Sequence, residues 1–196
     1  MSGAEMRDSE EVKDVRLTES ASALSCSGHA PAPYLVYVGL GANLGDRCAS
    51  LKRALRLLSH IEGTQLMRVS SFYETPPWGE TNQPPFLNAC AVVRTHLLPL
   101  LLLRAAQRIE RALGRVRREH WGPRMIDIDL LFAEGYTSAA PELRLPHPYL
   151  HERAFVLVPL CEIESGLIVQ EKRIDEWLER SSDAKACRKR FRAPSL

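Results

Sequence analysis

The chain has 196 residues and a formal net charge of +2, with 45% hydrophobic and 26% charged residues. This composition is typical of one globular domain with a full core, and the length excludes two large domains. The small net charge does not by itself indicate nucleic-acid binding, and no apolar run approaches the roughly 20 residues of a membrane-spanning helix.

The cysteines and the N-terminal stretch indicate a cytoplasmic protein. Five cysteines are scattered without C-x-x-C spacing, which argues against a disulfide framework and a zinc ribbon. Residues 1–33 are acidic near the start and lack an apolar signal core, so neither secretory nor mitochondrial targeting is supported. Because they show no periodicity, we expect residues 1–33 to be a disordered extension.

The first predicted element is a short buried strand from Tyr34, followed by the glycine-rich stretch Gly39-Leu-Gly41-Ala-Asn43-Leu-Gly45. Asp46 is a plausible N-cap for a helix to about Ser59. The glycine spacing does not satisfy G-x-G-x-x-G, and no G-x-x-x-x-G-K-[ST] occurs anywhere. The glycines therefore indicate a tight turn or a close approach of the backbone to a ligand.

A second strand is predicted over residues 65–73, followed by a Pro-rich loop, residues 75–85. Its prolines make the loop stiff and poor in backbone donors. Trp78 in this loop is either a stapling residue or a flat wall for a flat ligand. A third strand is predicted over residues 86–95, and Phe86 and Asn88 at its start are suited to an aromatic slot read by an amide.

A helix is predicted from Pro99, in its first turn, to about Leu113, with Gly114 as its stop. Gln107 and Glu110 lie three residues apart and can share a face. The arginines of this helix are expected on a solvated surface.

The fourth strand, at about residues 125–132, carries Asp127 and Asp129, which alternate with apolar residues and therefore share one face. Carboxylates two residues apart lie roughly 7 Å from each other and repel by about 2 kcal/mol at an effective dielectric near 20. A hard divalent cation would offset this cost; the alternative is a solvated face beside arginines. The preceding loop carries Arg115, Arg117, Arg118, Trp121 and Arg124. Cations beside a paired-carboxylate strand favour a polyphosphate site.

The remaining segments are less informative. His147 and Arg153 add donor groups close together in sequence, and residues 155–160 are expected to form a short strand or helix. Residues 174–180 are predicted to be a terminal helix. We predict one domain over residues 34–182 and a solvated basic tail over residues 183–196.

Together these motifs resemble the 6-hydroxymethyl-7,8-dihydropterin pyrophosphokinases of folate biosynthesis, over about residues 34–163. The motifs that carry the resemblance are Gly39-Leu-Gly41-Ala-Asn43-Leu-Gly45, Ser71-Phe-Tyr-Glu-Thr75-Pro76-Pro77, Phe86-Leu-Asn88-Ala, Gln107-Arg-Ile-Glu110, Gly114-Arg115-Val-Arg117, Trp121-Gly-Pro-Arg124-Met-Ile-Asp127-Ile-Asp129 and Leu145-Pro-His147-Pro. Together with the order strand-helix-strand, strand-helix-strand, the resemblance predicts an α+β ferredoxin-like sandwich. We expect an antiparallel sheet with helices packed on one face and additional C-terminal elements.

The resemblance implies transfer of the β,γ-pyrophosphoryl group of ATP to the hydroxymethyl group of a reduced pterin, leaving AMP. It implies that Asp127 and Asp129 bind two magnesium ions, and that Arg115 and Arg124 neutralise charge on the moving group. ATP would be held by Gln107, Arg117, Arg124, His147 and Arg153, with Glu110 supporting the site.

The resemblance also implies a pterin site between aromatic walls. The pterin would stack between Trp121 and Phe155. Its edge and surroundings would be formed by Gly41, Thr75, Pro77, Trp78, Phe86 and Asn88. The loop over residues 115–124 and the Pro-rich loop would be mobile lids that exclude water.

Two other classes of protein share some of these features. A nucleic-acid-binding ferredoxin-like domain would place aromatic residues on the sheet face, where this chain has Asp127 and Asp129. A polymerase-like nucleotidyl transferase also uses paired carboxylates with two metals, but the aromatic Pro-rich loop and the single small domain argue against it. We therefore expect ATP and the pterin as partners, no nucleic acid, no membrane and a monomeric enzyme.

Overall fold

The computed structural model describes residues 32–79, 81–114 and 122–192. The strands are β1 (Tyr34–Ala42), β2 (Thr64–Val69), β3 (Phe72–Thr75), β4 (Phe86–Thr95), β5 (Asp127–Ala133), β6 (Ser138–Ala140), β7 (Leu143–Leu145), β8 (Ile168–Val169), β9 (Lys172–Arg173) and β10 (Arg188–Phe191). The helices are α1 (Arg47–Ser59), α2 (Pro99–Ala112), α3 (Ala154–Glu164) and α4 (Ile174–Glu179), with short 3₁₀ helices at Leu150–Glu152 and Ala184–Ala186. Among the described residues, no helix is long and apolar enough to cross a bilayer.

The central sheet is antiparallel and has the order β10-β3-β4-β1-β5, with β2 also paired to β4. β1 lies between β4 and β5, so the glycine-rich end of β1 faces the start of both neighbours. The chain order from β1 to β5 is that of a ferredoxin-like sandwich. The predicted α+β architecture with an antiparallel sheet is confirmed.

Helices α1 and α2 cover one face of this sheet. The Asp46 side chain caps α1 by accepting a hydrogen bond from the Ala49 amide at 2.9 Å, and Pro99 opens α2 where no amide donor is needed. Apolar residues recur along both helices at helical spacing and are buried against alternate residues of β1, β4 and β5. This is the face that the sequence periodicity predicts.

The additional C-terminal elements cover the opposite face. Residues 155–160, for which the sequence left strand and helix open, lie in helix α3. The apolar side of α3 packs on Tyr37, Val92 and Leu131 in a second core, which α4 completes from outside. Because α3 begins only at Ala154, it does not extend over the end of the sheet that carries Gly41 and Asp127, and the cavity described below lies there.

The predicted second strand is interrupted in the structure. Residues 70 and 71 separate β2 from β3, and both strands pair with β4. The Ser70 hydroxyl accepts a hydrogen bond from the Cys90 amide at 2.9 Å, and Ser71 donates its amide and hydroxyl to the Glu162 carboxylate, both at 2.8 Å. The Ser70 amide still donates to the Cys90 carbonyl at 2.8 Å, and the side-chain hydrogen bonds complete the pairing at the break. A continuous hydrophobic pattern does not reveal such bonds.

The basic C-terminal segment is not only a solvated tail. Residues Arg188–Phe191 form strand β10, which pairs with β3 at the edge of the central sheet. Lys189 donates to Glu162 at 2.8 Å and Arg190 to Glu74 at 2.6 Å. The predicted boundary at residue 182 therefore falls inside the folded unit, because backbone pairing and opposite charges attach this segment to the domain.

Candidate active site

A cavity of about 960 Å³ lies at the end of the sheet that carries Gly41 and Asp127. It is bounded by the ends of β1, β4 and β5, the Pro-rich loop and the start of α3. The predicted site residues among its lining are Gly41, Thr75, Trp78, Phe86, Asn88, Arg124, Asp127, Asp129, His147, Arg153 and Phe155. Segments far apart in sequence therefore meet at one concave site.

The two aspartates stand on the cavity face of β5. Residues 126, 128 and 130 are buried on the other face, as the alternation predicts. Asp127 pairs across the sheet with Gly41, and Asp129 with Gly39. Since glycine has no side chain, the space in front of both carboxylates stays open.

Two arginines compensate the carboxylates. Arg124 donates from Nη1 to Oδ2 of Asp127 at 2.5 Å, and Nη1 of Arg153 lies 3.7 Å from Oδ2 of Asp129. The Asp127 side chain is 20% exposed and that of Asp129 is 42% exposed. Both carboxylates are therefore accessible from the cavity and lie beside cations that attract polyphosphate.

Glu110 on helix α2 supports strand β5. It is buried on α2, and its Oε1 accepts a hydrogen bond from the Ile128 amide at 2.7 Å. Ile128 lies between the two aspartates, so Glu110 determines the position of the strand that presents them. Neither Glu110 nor Gln107 lines the cavity.

A buried amide and hydroxyl form the opposite wall. Nδ2 of Asn88 donates to the Thr75 hydroxyl at 2.8 Å, and both residues are buried. A Cβ atom on Gly41 would lie 2.6 Å from Oδ1 of Asn88. Only glycine at position 41 therefore allows this amide to face the cavity. Such a wall can read the hydrogen-bonding edge of a flat heterocycle.

Aromatic rings surround the Arg153 guanidinium. Its Cζ lies 5.0 Å from the ring centre of Trp78, 5.5 Å from that of Phe155 and 5.3 Å from that of Tyr149. The Trp78 and Phe155 rings are 6.5 Å apart. Trp78 is thus an aromatic wall of the cavity. Burial among these rings is the largest cause that lowers the pKa of Arg153, while Asp129 acts in the opposite direction.

His147 is held as a neutral donor. Its Nδ1 accepts a hydrogen bond from the Tyr149 amide at 3.2 Å, so the ring proton of the neutral form is on Nε2. Burial, and after it the charge of Arg153, lower the pKa of His147 to about 4, because Asp127 opposes them only in part. At neutral pH, His147 therefore offers an N–H group without adding a charge.

Sequence reasoning assigned no role to Asn43, which joins the two loops beside the cavity. Its Oδ1 accepts from the Arg124 amide at 2.8 Å, and its own amide donates to the Arg124 carbonyl at 3.1 Å. Its Nδ2 donates to Oε1 of Gln83 at 3.0 Å and to the Pro84 carbonyl at 3.3 Å. An Asn immediately after a strand, inside a glycine-rich turn, was the available signal.

Some predicted site residues are not among the described lining of the cavity. Arg115, Arg117 and Trp121 are outside the described residues, as is Glu80 of the Pro-rich loop. Pro77 is half-buried in that loop but does not line the cavity.

Comparison with known proteins gives one consistent family. The family described as 7,8-dihydro-6-hydroxymethylpterin-pyrophosphokinase matches residues 37–165. A relative from Methylorubrum extorquens, named 2-amino-4-hydroxy-6-hydroxymethyldihydropteridine pyrophosphokinase, is 47% identical over 142 residues, 72% of this chain and 90% of the relative. A relative of the same name from Haemophilus influenzae is 41% identical over 138 residues, covering 70% of this chain and 86% of the relative.

Solved structures share the fold. A Plasmodium falciparum HPPK-DHPS structure with pteroate has a TM-score of 0.65 and 15% sequence identity, and the match covers 84% of this chain and 48% of that chain. The present chain therefore spans about half the length of that structure.

Proposed function

This chain belongs to the 7,8-dihydro-6-hydroxymethylpterin-pyrophosphokinase family, and from that premise we propose how the residues of its cavity carry out the family's reaction. The enzyme transfers pyrophosphate from ATP to the hydroxymethyl group of 6-hydroxymethyl-7,8-dihydropterin, a step of folate biosynthesis. AMP and the pterin pyrophosphate are the products. The family match over residues 37–165, which contains the whole described lining of the cavity, carries this conclusion.

We propose that two magnesium ions bind at Asp127 and Asp129. The donor set fits, because carboxylate oxygens are the ligands that Mg²⁺ prefers and both face the cavity. The described residues contain no group of three or more His, Cys, Asp or Glu side chains suited to a metal. Phosphate oxygens and water would therefore complete the coordination, as is usual for Mg²⁺. Bound magnesium would neutralise phosphate charge and lower the pKa of the attacking hydroxyl.

The triphosphate would lie along the cationic side of the cavity. Arg124 and Arg153, which now compensate the aspartates, are placed to contact phosphate oxygens once those carboxylates bind cations. His147 would donate its Nε2–H group to the nucleotide without changing the charge of the site. Arg115 would join Arg124 in neutralising the moving group, and Arg117 and Gln107 would bind ATP. Catalysis here is mainly positioning and electrostatic stabilisation.

The pterin would occupy the wall opposite the aspartates. Asn88 and Thr75 would bind its edge, and the bare backbone at Gly41 would let the ring approach β1 closely. Phe155 and Trp121 would stack on its faces, with Trp78, Pro77 and Phe86 enclosing it. The acceptor hydroxyl would then point across the cavity toward the phosphates, where proximity supplies much of the rate.

We propose that the protein acts as a cytoplasmic monomer, with one catalytic domain and no nucleic-acid or membrane partner. The described lining of the cavity already includes both carboxylates, Arg124 and Arg153, and aromatic rings of the proposed site. Light scattering at micromolar concentration should give a mass near 22.0 kDa. A mass near twice this value at micromolar concentration would contradict the proposal of a monomer.

A nucleotide assay tests the function. The full chain is incubated with ATP, MgCl₂ and 6-hydroxymethyl-7,8-dihydropterin, and nucleotides are separated by chromatography. We expect AMP and pterin pyrophosphate in equal amounts. A reaction without the pterin is the control. Formation of ADP, or AMP that appears without the pterin, would overturn the proposal.

A further inference from the structure

A continuous series of hydrogen bonds joins the C-terminal strand β10 to the Pro-rich loop. Arg190 donates from Nε and Nη2 to Oε1 of Glu74, at 3.1 Å and 2.6 Å. The other oxygen of Glu74 accepts from Nη2 of Arg47 at 2.9 Å. Nη1 of Arg47 then donates to the Pro85 carbonyl at 2.7 Å. One carboxylate thus links two arginines that approach it from different elements.

We propose that β10 positions the pterin side of the cavity through this series of hydrogen bonds. Arg190 and Glu74 are then positioning residues for the acceptor substrate. The inference rests on the proposed assignment of the pterin to the wall formed by Thr75 and Asn88. It concerns residues outside the cavity, since Glu74, Arg47 and Arg190 do not line it.

The residues next to the two ends of this series of hydrogen bonds explain why it affects substrate binding. Glu74 immediately precedes Thr75 in β3, and Pro85 immediately precedes Phe86 at the start of β4. Thr75 and Phe86 pair with each other across these strands and both line the cavity. A shift of either end therefore moves a residue of the pterin wall.

The Pro-rich loop needs such external support. Its prolines cannot donate backbone hydrogen bonds, so the carbonyls next to the cavity are held by side chains of other elements. Asn43 holds the Pro84 carbonyl and Arg47 holds the Pro85 carbonyl. Asn43 belongs to the matched motif region, whereas the support of Arg47 continues to β10, beyond matched residues 37–165. This part of the support therefore comes from the C-terminal segment.

Removing the Arg190 charge tests whether this series of hydrogen bonds affects pterin binding. In Arg190→Ala, Glu74 loses one of its two arginines, and we expect the KM for the pterin to rise about three- to fivefold, the effect of one partly exposed ion pair. The KM for ATP and kcat should change less than about twofold, because the phosphate side is supported by other contacts. Arg190→Lys should restore part of the loss.

Arg188→Ala is the matched control, because it removes the same charge from the same strand at a residue whose backbone pairs with Glu74. It should leave the KM for the pterin unchanged. In a double variant with Arg47→Ala, the KM for the pterin should rise by less than the two single effects combined, since both arginines act through one carboxylate.

The outcomes separate the possibilities. An unchanged KM for the pterin in Arg190→Ala, an equal rise in Arg188→Ala, or additive effects with Arg47→Ala would overturn the proposal. An equal rise in both KM values with a lowered melting temperature would show a merely structural role and would also overturn it. Failure of the proposed function itself is distinct, because the unaltered chain would then form no pterin-dependent AMP.

Discussion

The smallest residues of the cavity are as important as its charged ones. Gly39 and Gly41 in β1 lie opposite Asp129 and Asp127, and Gly41 also lies opposite Asn88 in β4. Paired residues in an antiparallel sheet point to the same face. The two glycines therefore form an open floor between the carboxylates on one side and the amide on the other.

Replacing Gly41 should weaken pterin binding. In Gly41→Ala the new Cβ would meet Oδ1 of Asn88 at 2.6 Å, so the amide must move and its hydrogen bond to Thr75 is lost or bent. Because one such bond contributes about 0.5–1.5 kcal/mol, we expect the KM for the pterin to rise up to about tenfold. Steady-state kinetics with varied pterin measure this.

Gly166→Ala is the control for that experiment, since nothing lies within 4 Å of the added methyl group. It should leave the kinetics unchanged. If Gly41→Ala binds the pterin as tightly as the unaltered protein, the position given to Asn88 is wrong.

Removing a carboxylate from β5 should stop turnover while keeping the fold. For Asp127→Asn we expect kcat to fall by about 10³-fold, because a metal ligand supports several kcal/mol of charge stabilisation in the transition state. The melting temperature should stay close to that of the unaltered protein. Asp175→Asn, at a partly exposed carboxylate paired with Arg173 outside the described cavity lining, is the control. Activity within a few-fold of the unaltered enzyme would contradict the metal site.

At the scale of elements, the two loops beside the cavity are coupled by Asn43. Its side chain bonds both the Arg124 segment and the Pro-rich loop. Because it is buried at 3% exposure, leaving its partners unsatisfied should cost about 1–3 kcal/mol. Loss of this side chain should therefore loosen both loops together.

Two substitutions at Asn43 distinguish its contact with the Arg124 segment from its contact with the Pro-rich loop. Asn43→Ala should lower kcat/KM by about 10- to 100-fold, and hydrogen exchange should increase at both residues 81–86 and residues 122–125. Asn43→Asp keeps the acceptor for the Arg124 amide but loses the donor to Gln83, so faster exchange should be confined to residues 81–86. Increased exchange in neither segment of the Ala variant would show that the loops are held independently.

Elements with a strong local pattern were predictable from the sequence, and those defined by long-range partners were not. The period-two pattern of β5 predicts the shared face of Asp127 and Asp129, and α1 begins directly after its predicted N-cap, Asp46. The break between β2 and β3 depends on Glu162, 91 residues from Ser71. Strand β10 is four residues long and all four are exposed, so its composition resembles a tail. Its pairing with β3 has no local signal.

The same distinction holds for the site. Residues that contact ligands carry recognisable motifs, and the cavity brings most of them together. Residues that hold those motifs in place, such as Asn43 and Arg47, were not recognised because their hydrogen-bond partners lie 81 and 38 residues away in sequence.

At the scale of the whole molecule, Glu162 joins three parts of the fold. This α3 residue accepts hydrogen bonds from Ser71 at the strand break, from Tyr73 in β3 and from Lys189 in β10. Burial acts to raise the pKa of Glu162, but the hydrogen bonds from Lys189, Ser71 and Tyr73 outweigh it and lower the pKa below its ordinary value of 4.5. The ionised carboxylate therefore stabilises the folded state.

The sign of the pH dependence follows from this shift. A carboxyl group with a lowered folded-state pKa contributes its stability above the unfolded value, and this contribution is lost as the pH falls through the folded value. Urea unfolding measured between pH 7 and pH 3 should therefore show that the free energy of unfolding decreases once the pH is lower than about 4.5. In Glu162→Gln, which is lower in stability at pH 7, that fall should be shallower. Glu179→Gln, at an exposed helix end, should keep the steep profile of the unaltered protein. A Glu162→Gln profile parallel to that of the unaltered protein would mean that Glu162 does not link α3 to the sheet edge through its charge.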